Sequence, residues 1–133
     1  MDWLTERLEG NRKILDQLLS APKLPFDDSL RSRLPERSGL YAISIKDAQP
    51  SEFLRAGRTK GLRQRVYQNH LMGDQKGNLR NQLVQDGECS DLDNAKEWIR
   101  EKCVVQVFIV GDENVRRSAE HFVLGPLRPK YSD

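Results

Sequence analysis

The chain has 133 residues, of which 37% are hydrophobic and 32% are charged, and its 22 basic and 20 acidic residues leave a net charge of +2. This length suits a single hydrophobic core and excludes two full-size domains. The small net charge excludes a global field that would draw the protein onto nucleic acid or an anionic membrane. Any such binding must therefore come from local clusters of basic residues.

The apolar stretches of the chain are short. The best of them, residues 104–110, is interrupted by Gln106 and falls well below the roughly 18 to 20 residues that cross a bilayer. The first residues include acids and a glycine, so we expect no secretory signal. We expect no membrane association and a cytoplasmic location, with Cys89 and Cys103 as reduced thiols.

The first third of the chain is predicted to be helical. Leucines at intervals of three, four or seven predict an amphipathic helix over residues 3–19, and Pro22 follows it. Asp27 or Asp28 can cap a short helical piece that stops at Pro35. We expect residues 1–37 to form a helical extension packed on the core and residues 38–133 to form the main domain.

The main domain alternates short strands and helices. The runs GLYAISI (39–45) and EFLRA (52–56) predict a β-hairpin, and the β-branched run at 103–110 predicts a buried strand. Helices are predicted over 60–72, 79–85 and 93–102, and from 112 to a stop at 125 and 126. This order predicts a small α/β or α+β domain with a three-stranded, mainly antiparallel sheet flanked by helices.

A basic run without acids lies between residues 53 and 73. Its cationic members are Arg55, Arg58, Lys60, Arg63 and Arg65. The run begins on a predicted strand and continues over a turn onto the next helix, so it could hold a phosphate between backbone amides and guanidinium groups. The alternative is an ordinary solvated helix face.

Three further polar side chains, Tyr67, Asn69 and His70, lie within this basic run. On an α-helix, Arg65 and Asn69 are four residues apart and share a face. His70 is five residues from Arg65 and is predicted to point elsewhere. A lone histidine at such a place is more typical of a surface position than of a catalytic one.

The order of several short motifs resembles the GIY-YIG nucleases. Gly39, Leu40 and Tyr41 match the first motif, the sequence Arg-Ala-Gly at 55–57 matches the second, and GLRQRVY places Arg65 at the start of a helix. The tail AEHFVLGPLRPKYSD supplies a helical glutamate, a proline and an aromatic residue, which are Glu120, Pro129 and Tyr131. The resemblance covers residues 38–133.

The resemblance implies a GIY-YIG-like fold and a metal-dependent endonuclease that nicks or cleaves DNA by hydrolysing phosphodiester bonds. Glu120 would hold Mg²⁺ or Mn²⁺, Arg65 would bind the scissile phosphate, and Tyr41 would help to deprotonate the attacking water. One carboxylate suffices because Mg²⁺ keeps most of its water ligands. The remaining nucleic-acid contacts would come from Arg55, Arg58, Lys60, Arg63, Tyr67, Asn69 and His70.

The chain departs from the family pattern at three positions. Arg55 stands where the second motif has a tyrosine, Asn69 where a His or Tyr usually follows the arginine by one turn, and Ser132 where the family has a closing Asn. Each change removes a hydrogen-bonding group near the expected phosphate. A nucleic-acid-binding module with little or no turnover therefore stays open, as does a protein-interaction module in which the N-terminal helix pairs with a partner or a second copy.

Two of the implied catalytic residues also have structural explanations. Tyr41 could be a half-buried strand aromatic whose hydroxyl bonds a backbone partner. Glu120 could form an ion pair with Arg116, one helical turn before it. The choice between DNA and RNA, and between a monomer and a homodimer, stays open from the sequence.

Overall fold

The computed structural model describes residues 2–132, and positions 1 and 133, the outer ends of the two predicted segments, lie outside the described residues. The helices are α1 (Trp3–Ser20), α2 (Leu30–Arg33), a π-helix (Gln64–Leu71), α3 (Leu79–Gln85), α4 (Leu92–Lys102) and α5 (Glu113–Leu127). The strands are β1 (Leu24–Pro25), β2 (Gly39–Ile45), β3 (Phe53–Thr59) and β4 (Cys103–Ile109). The mixed α/β class predicted from the sequence is confirmed.

The sheet of the described residues has four antiparallel strands in the order β1-β4-β2-β3, so the predicted count of three was wrong. The additional strand is β1, in which Leu24 and Pro25 pair with Val105 and Val104 of β4. A two-residue strand that contains a proline has no alternating pattern to reveal it, and proline is tolerated there because β1 is an edge. The other edge of the sheet is β3.

The central strand β2 is buried on both faces, since helices cover the sheet on each side. Leu40 and Ala42 lie in an apolar cluster with residues of α1 and α5. Tyr41 and Ile43 lie in a second cluster with residues of the π-helix, α3 and α4. Burial on both faces explains why β2 is a continuous apolar run without polar alternation.

The predicted N-terminal helix is confirmed as α1. It begins after Asp2, whose side chain accepts a hydrogen bond from the main-chain N–H of Thr5 at 2.7 Å. Leu15 and Leu18 are buried against the core, whereas Leu8 is 49% exposed. Neither α1 nor any other helix among residues 2–132 has the length and apolar composition needed to cross a bilayer.

Helices α2, α4 and α5 differ from the prediction at one end. The N-cap of α2 is Ser29 and not Asp27 or Asp28. Helix α5 continues through Gly125 and Pro126 to Leu127, which is buried in the cluster shared with α1. Burial of that leucine favours one further turn despite the missing proline N–H. Helix α4 is capped by Asp91 and not by Asp93, because the Asp91 carboxylate accepts from the main-chain N–H of Asn94 at 2.8 Å.

Candidate functional site

The candidate site surrounds Gly57, in the second half of edge strand β3. Gly57 pairs with Tyr41 of β2. A Cβ atom at position 57 would lie 3.1 Å from the Tyr41 hydroxyl oxygen and 3.4 Å from Oε2 of Glu120. Because glycine has no side chain, a phenol from the sheet and a carboxylate from α5 face the same small space. Two of the three predicted catalytic residues are thus brought together.

The Glu120 carboxylate is held by one residue of β3. The main-chain N–H of Arg58 donates to Oε2 at 2.9 Å, and Nη1 of the Arg58 guanidinium donates to Oε1 at 2.5 Å. The alternative ion pair with Arg116 was wrong. The buried Arg116 guanidinium donates instead to the carbonyl oxygens of Val110 at 3.0 Å and Gly111 at 3.2 Å.

The hydroxyl of Tyr41 is hydrogen-bonded to His70, with 2.8 Å between Oη and Nε2. Both side chains are buried, so the alternative of a half-buried tyrosine was wrong. The main-chain N–H of Leu79 donates to Nδ1 of His70 at 3.0 Å. Nδ1 therefore carries no proton in the neutral ring, and Nε2–H is the donor to Tyr41.

His70 is held in its neutral form. Burial lowers the pKa of His70 well below 6.5, and the positive charges of Arg65 and Arg55 lower it further. The ring therefore keeps its single proton on Nε2 at neutral pH. The predicted phosphate-binding residue Arg65 is partly exposed on the same π-helical segment that carries His70.

The helix that carries Arg65 is wound differently from the prediction. The α-helix expected over 60–72 is a π-helix at Gln64–Leu71, and the N–H of Met72 donates to the carbonyl of Tyr67, five residues back, at 3.1 Å. Wider π-helical turns bring His70 toward the side that carries Arg65. The prediction that His70 points away was wrong. In the sequence, only the five-residue spacing between Arg65 and His70 could have indicated that both residues lie on one side of a π-helix.

Arg55, a predicted nucleic-acid contact, is a buried structural residue. Its side chain is 1% exposed, and Nη1 donates to the carbonyl of Gly77 and to Oε1 of Gln82. Gln82 in turn donates from Nε2 to the carbonyl of Ser132 at 2.8 Å. Gln82 thus links the buried Arg55 to the main chain of the C-terminal tail, and Arg55 is not accessible to a phosphate.

His70, another predicted nucleic-acid contact, is buried and is not accessible to nucleic acid, whereas the remaining predicted contacts lie on or near the surface. Lys60 is exposed, and Arg58, Arg65, Tyr67 and Asn69 are partly exposed. Arg63 is also partly exposed, but its Nε donates to the Leu34 carbonyl at 3.0 Å and its Nη1 pairs with Glu36 at 2.5 Å. Of these residues, Arg58 is the one with a described contact to the site, through the Glu120 carboxylate.

A divalent cation at this site would have one protein carboxylate. No group of three or more His, Cys, Asp or Glu side chains that could hold a metal occurs within residues 2–132. The hard oxygens of Glu120, beside a space that lacks a Cβ, fit Mg²⁺, which keeps several waters and binds one or two carboxylates plus substrate phosphate. Cys89 and Cys103 are buried free thiols, and burial raises the pKa of Cys103 to about 12, which disfavours a thiolate ligand.

The site brings together the Tyr41 phenol, which has a hydrogen-bond donor in His70, and the Glu120 carboxylate. A phenol can exchange a proton, and a carboxylate can hold a hard cation. The functional conclusion depends on this geometry, because a comparison of the chain with protein-family models, curated proteins and solved structures found no match.

Proposed function

We propose that the protein is a metal-dependent endonuclease that hydrolyses phosphodiester bonds of nucleic acid, with DNA as its substrate. The observation that carries the proposal is the space at Gly57, which the Tyr41 hydroxyl and the Glu120 carboxylate both border. The motif order that resembles GIY-YIG nucleases supports the same reaction. The catalytic residues are Tyr41, Arg65 and Glu120, with His70 as the positioning residue of Tyr41.

Tyr41 is the proposed general base. The hydrogen bond with His70 Nε2 fixes the position of the Tyr41 hydroxyl oxygen at 2.8 Å from the ring. In the phenolate form, Oη accepts a proton from the water that attacks phosphorus. The displaced oxygen takes its proton from solvent. His70 stays neutral throughout, because its buried ring cannot gain a second proton at low cost.

Arg65 and Glu120 act on the phosphate side of the reaction. The Arg65 guanidinium offers two parallel donors to the non-bridging oxygens and holds the phosphate in line with the water. When bound at Glu120, Mg²⁺ or Mn²⁺ supplies Lewis-acid polarisation of a phosphoryl oxygen. The main-chain N–H of Arg58 fixes the Glu120 carboxylate in the orientation that this role requires.

A plasmid-nicking assay tests the proposal. The wild-type protein is expected to nick supercoiled DNA in Mg²⁺ or Mn²⁺ and to stop when EDTA is added. Glu120→Ala should lower the rate at least about 100-fold. The matched control is Glu113→Ala on the same helix, because Glu113 is exposed and contacts only the i+4 residue Arg117, at 3.7 Å, among the ion pairs described. This control should cleave at the wild-type rate.

Each contrary outcome of the assay has a definite meaning. Undiminished cleavage by Glu120→Ala would overturn the assignment of Glu120. A wild-type protein that fails to cleave, but binds a DNA duplex with an affinity that falls steeply with salt and ignores EDTA, would be the non-catalytic nucleic-acid-binding module. Cleavage of a labelled RNA without cleavage of DNA would retain the phosphodiester chemistry and correct the substrate.

A further inference from the structure

Arg58 contacts both oxygens of the carboxylate that the proposed function assigns to the cation. Its main-chain N–H donates to Oε2 and its guanidinium to Oε1 of Glu120. The Glu120 side chain is 17% exposed and the Arg58 side chain 36% exposed. The carboxylate is therefore the more enclosed partner, and the guanidinium is the one that can leave toward solvent.

A divalent cation and the Arg58 guanidinium compete for the same oxygen. A cation bound to Oε1 would meet the guanidinium charge at contact distance, and like charges repel strongly where solvent is partly excluded. The main-chain donor to Oε2 carries no net charge and can stay in place. Entry of a cation thus requires movement of one side chain and leaves the backbone and α5 where they are.

A phosphodiester is the natural second partner for that guanidinium. Arg58 lies one residue from Gly57 and belongs to the acid-free basic run that also holds Lys60 and Arg65. Guanidinium groups bind phosphate oxygens with paired, charge-assisted hydrogen bonds. A phosphate that reaches the space at Gly57 can therefore take over the guanidinium that Glu120 now holds.

We propose that Arg58 is a positioning residue whose ion pair with Glu120 lowers the affinity of this carboxylate for divalent cations until nucleic acid is bound. This inference rests on the proposed function, since it assumes that Glu120 is the cation ligand. Binding of a phosphodiester withdraws the guanidinium from Oε1, and the freed oxygen becomes available to the cation. Cation and nucleic acid then bind with positive coupling, and the coupling is reciprocal.

Mn²⁺ binding, followed by the electron paramagnetic resonance signal of free Mn²⁺, tests this inference without measuring activity. In protein alone, Arg58→Gln is expected to bind Mn²⁺ about tenfold more tightly than the wild type, and Arg58→Lys should stay close to the wild type. Lys60→Gln is the matched control, because it removes one positive charge from an exposed neighbour two residues away. That control should change the affinity by less than about threefold.

A short DNA duplex with nuclease-resistant phosphorothioate linkages supplies the second arm. It should tighten Mn²⁺ binding to the wild type about tenfold and tighten binding to Arg58→Gln much less, because that variant has no guanidinium to withdraw. Equal Mn²⁺ affinities for Arg58→Gln and Lys60→Gln, or equal tightening by the duplex in wild type and Arg58→Gln, would overturn the role of Arg58.

Glu120→Gln separates this failure from a failure of the proposed function. If Glu120→Gln loses Mn²⁺ binding while Arg58→Gln behaves like Lys60→Gln, the cation site stands and only the competition by Arg58 is refuted. If Glu120→Gln binds Mn²⁺ as the wild type does, Glu120 is not the cation ligand and the proposed function loses its metal site together with this inference. Circular dichroism of each variant confirms that the fold is retained.

Discussion

In the first half of strand β3 the outer edge is covered, whereas in the second half it is occupied by the candidate site. The main-chain N–H groups of Lys130 and Tyr131 donate to the carbonyls of Phe53 at 3.0 Å and Leu54 at 2.9 Å. Further along the same strand, the main-chain N–H of Arg58 donates to the Glu120 carboxylate. The C-terminal tail protects one part of the edge, and the Glu120 side chain occupies the other.

The two arginines of this strand differ in their burial and in their partners. Arg55 and Arg58 belong to the same basic run, but Arg55 is buried and bonded to protein acceptors, while Arg58 is partly exposed and paired with a single carboxylate. The two side chains lie on opposite faces of the sheet, since Arg55 pairs with Ile43 of the cluster that includes the π-helix and α3, and Arg58 pairs with Leu40 of the cluster that includes α1 and α5. On its face Arg55 reaches the Gly77 carbonyl and Gln82, whereas Arg58 on the other face stays partly exposed. Residue type alone therefore does not separate the two roles.

The largest expected effect comes from replacing the two arginines separately. Arg55→Met should lower the free energy of unfolding by about 3 kcal/mol, because it leaves the Gly77 carbonyl and the Gln82 amide without their buried partner. Arg58→Met removes a partly exposed ion pair and should cost about 1 kcal/mol or less. Urea denaturation of the two variants measures both values. Equal losses would contradict the division of the strand into a structural half and a site half.

A smaller effect is expected from the pH dependence of the buried site. Burial, Arg65 and Arg55 keep the pKa of His70 well below 6.5, so the unfolded chain takes up the proton first as the pH falls. Stability is therefore fully present above pH 6.5 and decreases below it, by up to about 1.4 kcal/mol per pH unit. Urea denaturation at about pH 7.5 and about pH 5.5 should show this loss in the wild type.

The contribution of His70 is isolated by two variants. His70→Gln should have a flatter pH dependence between those two pH values, because the group that titrates has gone. His121→Gln is the matched control, since His121 is exposed on α5 and should leave the wild-type slope unchanged. A wild-type slope that His70→Gln retains would show that His70 is not held neutral by its surroundings.

The smallest expected effect concerns the tail that covers the first half of β3. The Tyr131 hydroxyl donates to Oδ2 of Asp86 at 2.7 Å, and this bond, with Lys130 nearby, lowers the pKa of Asp86. In Tyr131→Phe the pKa of Asp86 should rise toward its ordinary value, with a smaller loss of stability than in either preceding case. Carboxyl NMR titration measures the change, and an unmoved Asp86 would place the tail elsewhere in solution.

Most of the fold could be predicted from the sequence, because its strongest signals are local. The leucine spacing of α1 and the β-branched run of β4 predicted a helix and a strand that the structure contains. Strand β1, which was not predicted, is stabilised by pairing with β4. This long-range contact cannot be recognised from the two residues of β1 alone. The continuation of α5 to Leu127 likewise depends on tertiary burial of that leucine.

The proximity of two candidate residues could be predicted from the sequence, whereas their hydrogen-bond partners could not. The motif order singled out Tyr41, Arg65 and Glu120, and the structure brings Tyr41 and Glu120 close to Gly57. The bond between Tyr41 and His70 was missed because it depends on π-helical winding, which residue propensities do not encode. The burial of Arg55 was missed because its acceptors lie far along the chain.

The most direct test of the central claim is the single-turnover rate of DNA nicking by Tyr41→Phe, with Tyr131→Phe as the matched control. Tyr41→Phe removes only the hydroxyl that His70 contacts, and denaturation with urea verifies that the variant is folded. We predict a rate at least about 100-fold below the wild type for Tyr41→Phe and a nearly unchanged rate for Tyr131→Phe, whose hydroxyl bonds Asp86. A folded Tyr41→Phe protein that nicks DNA at the wild-type rate would contradict the account.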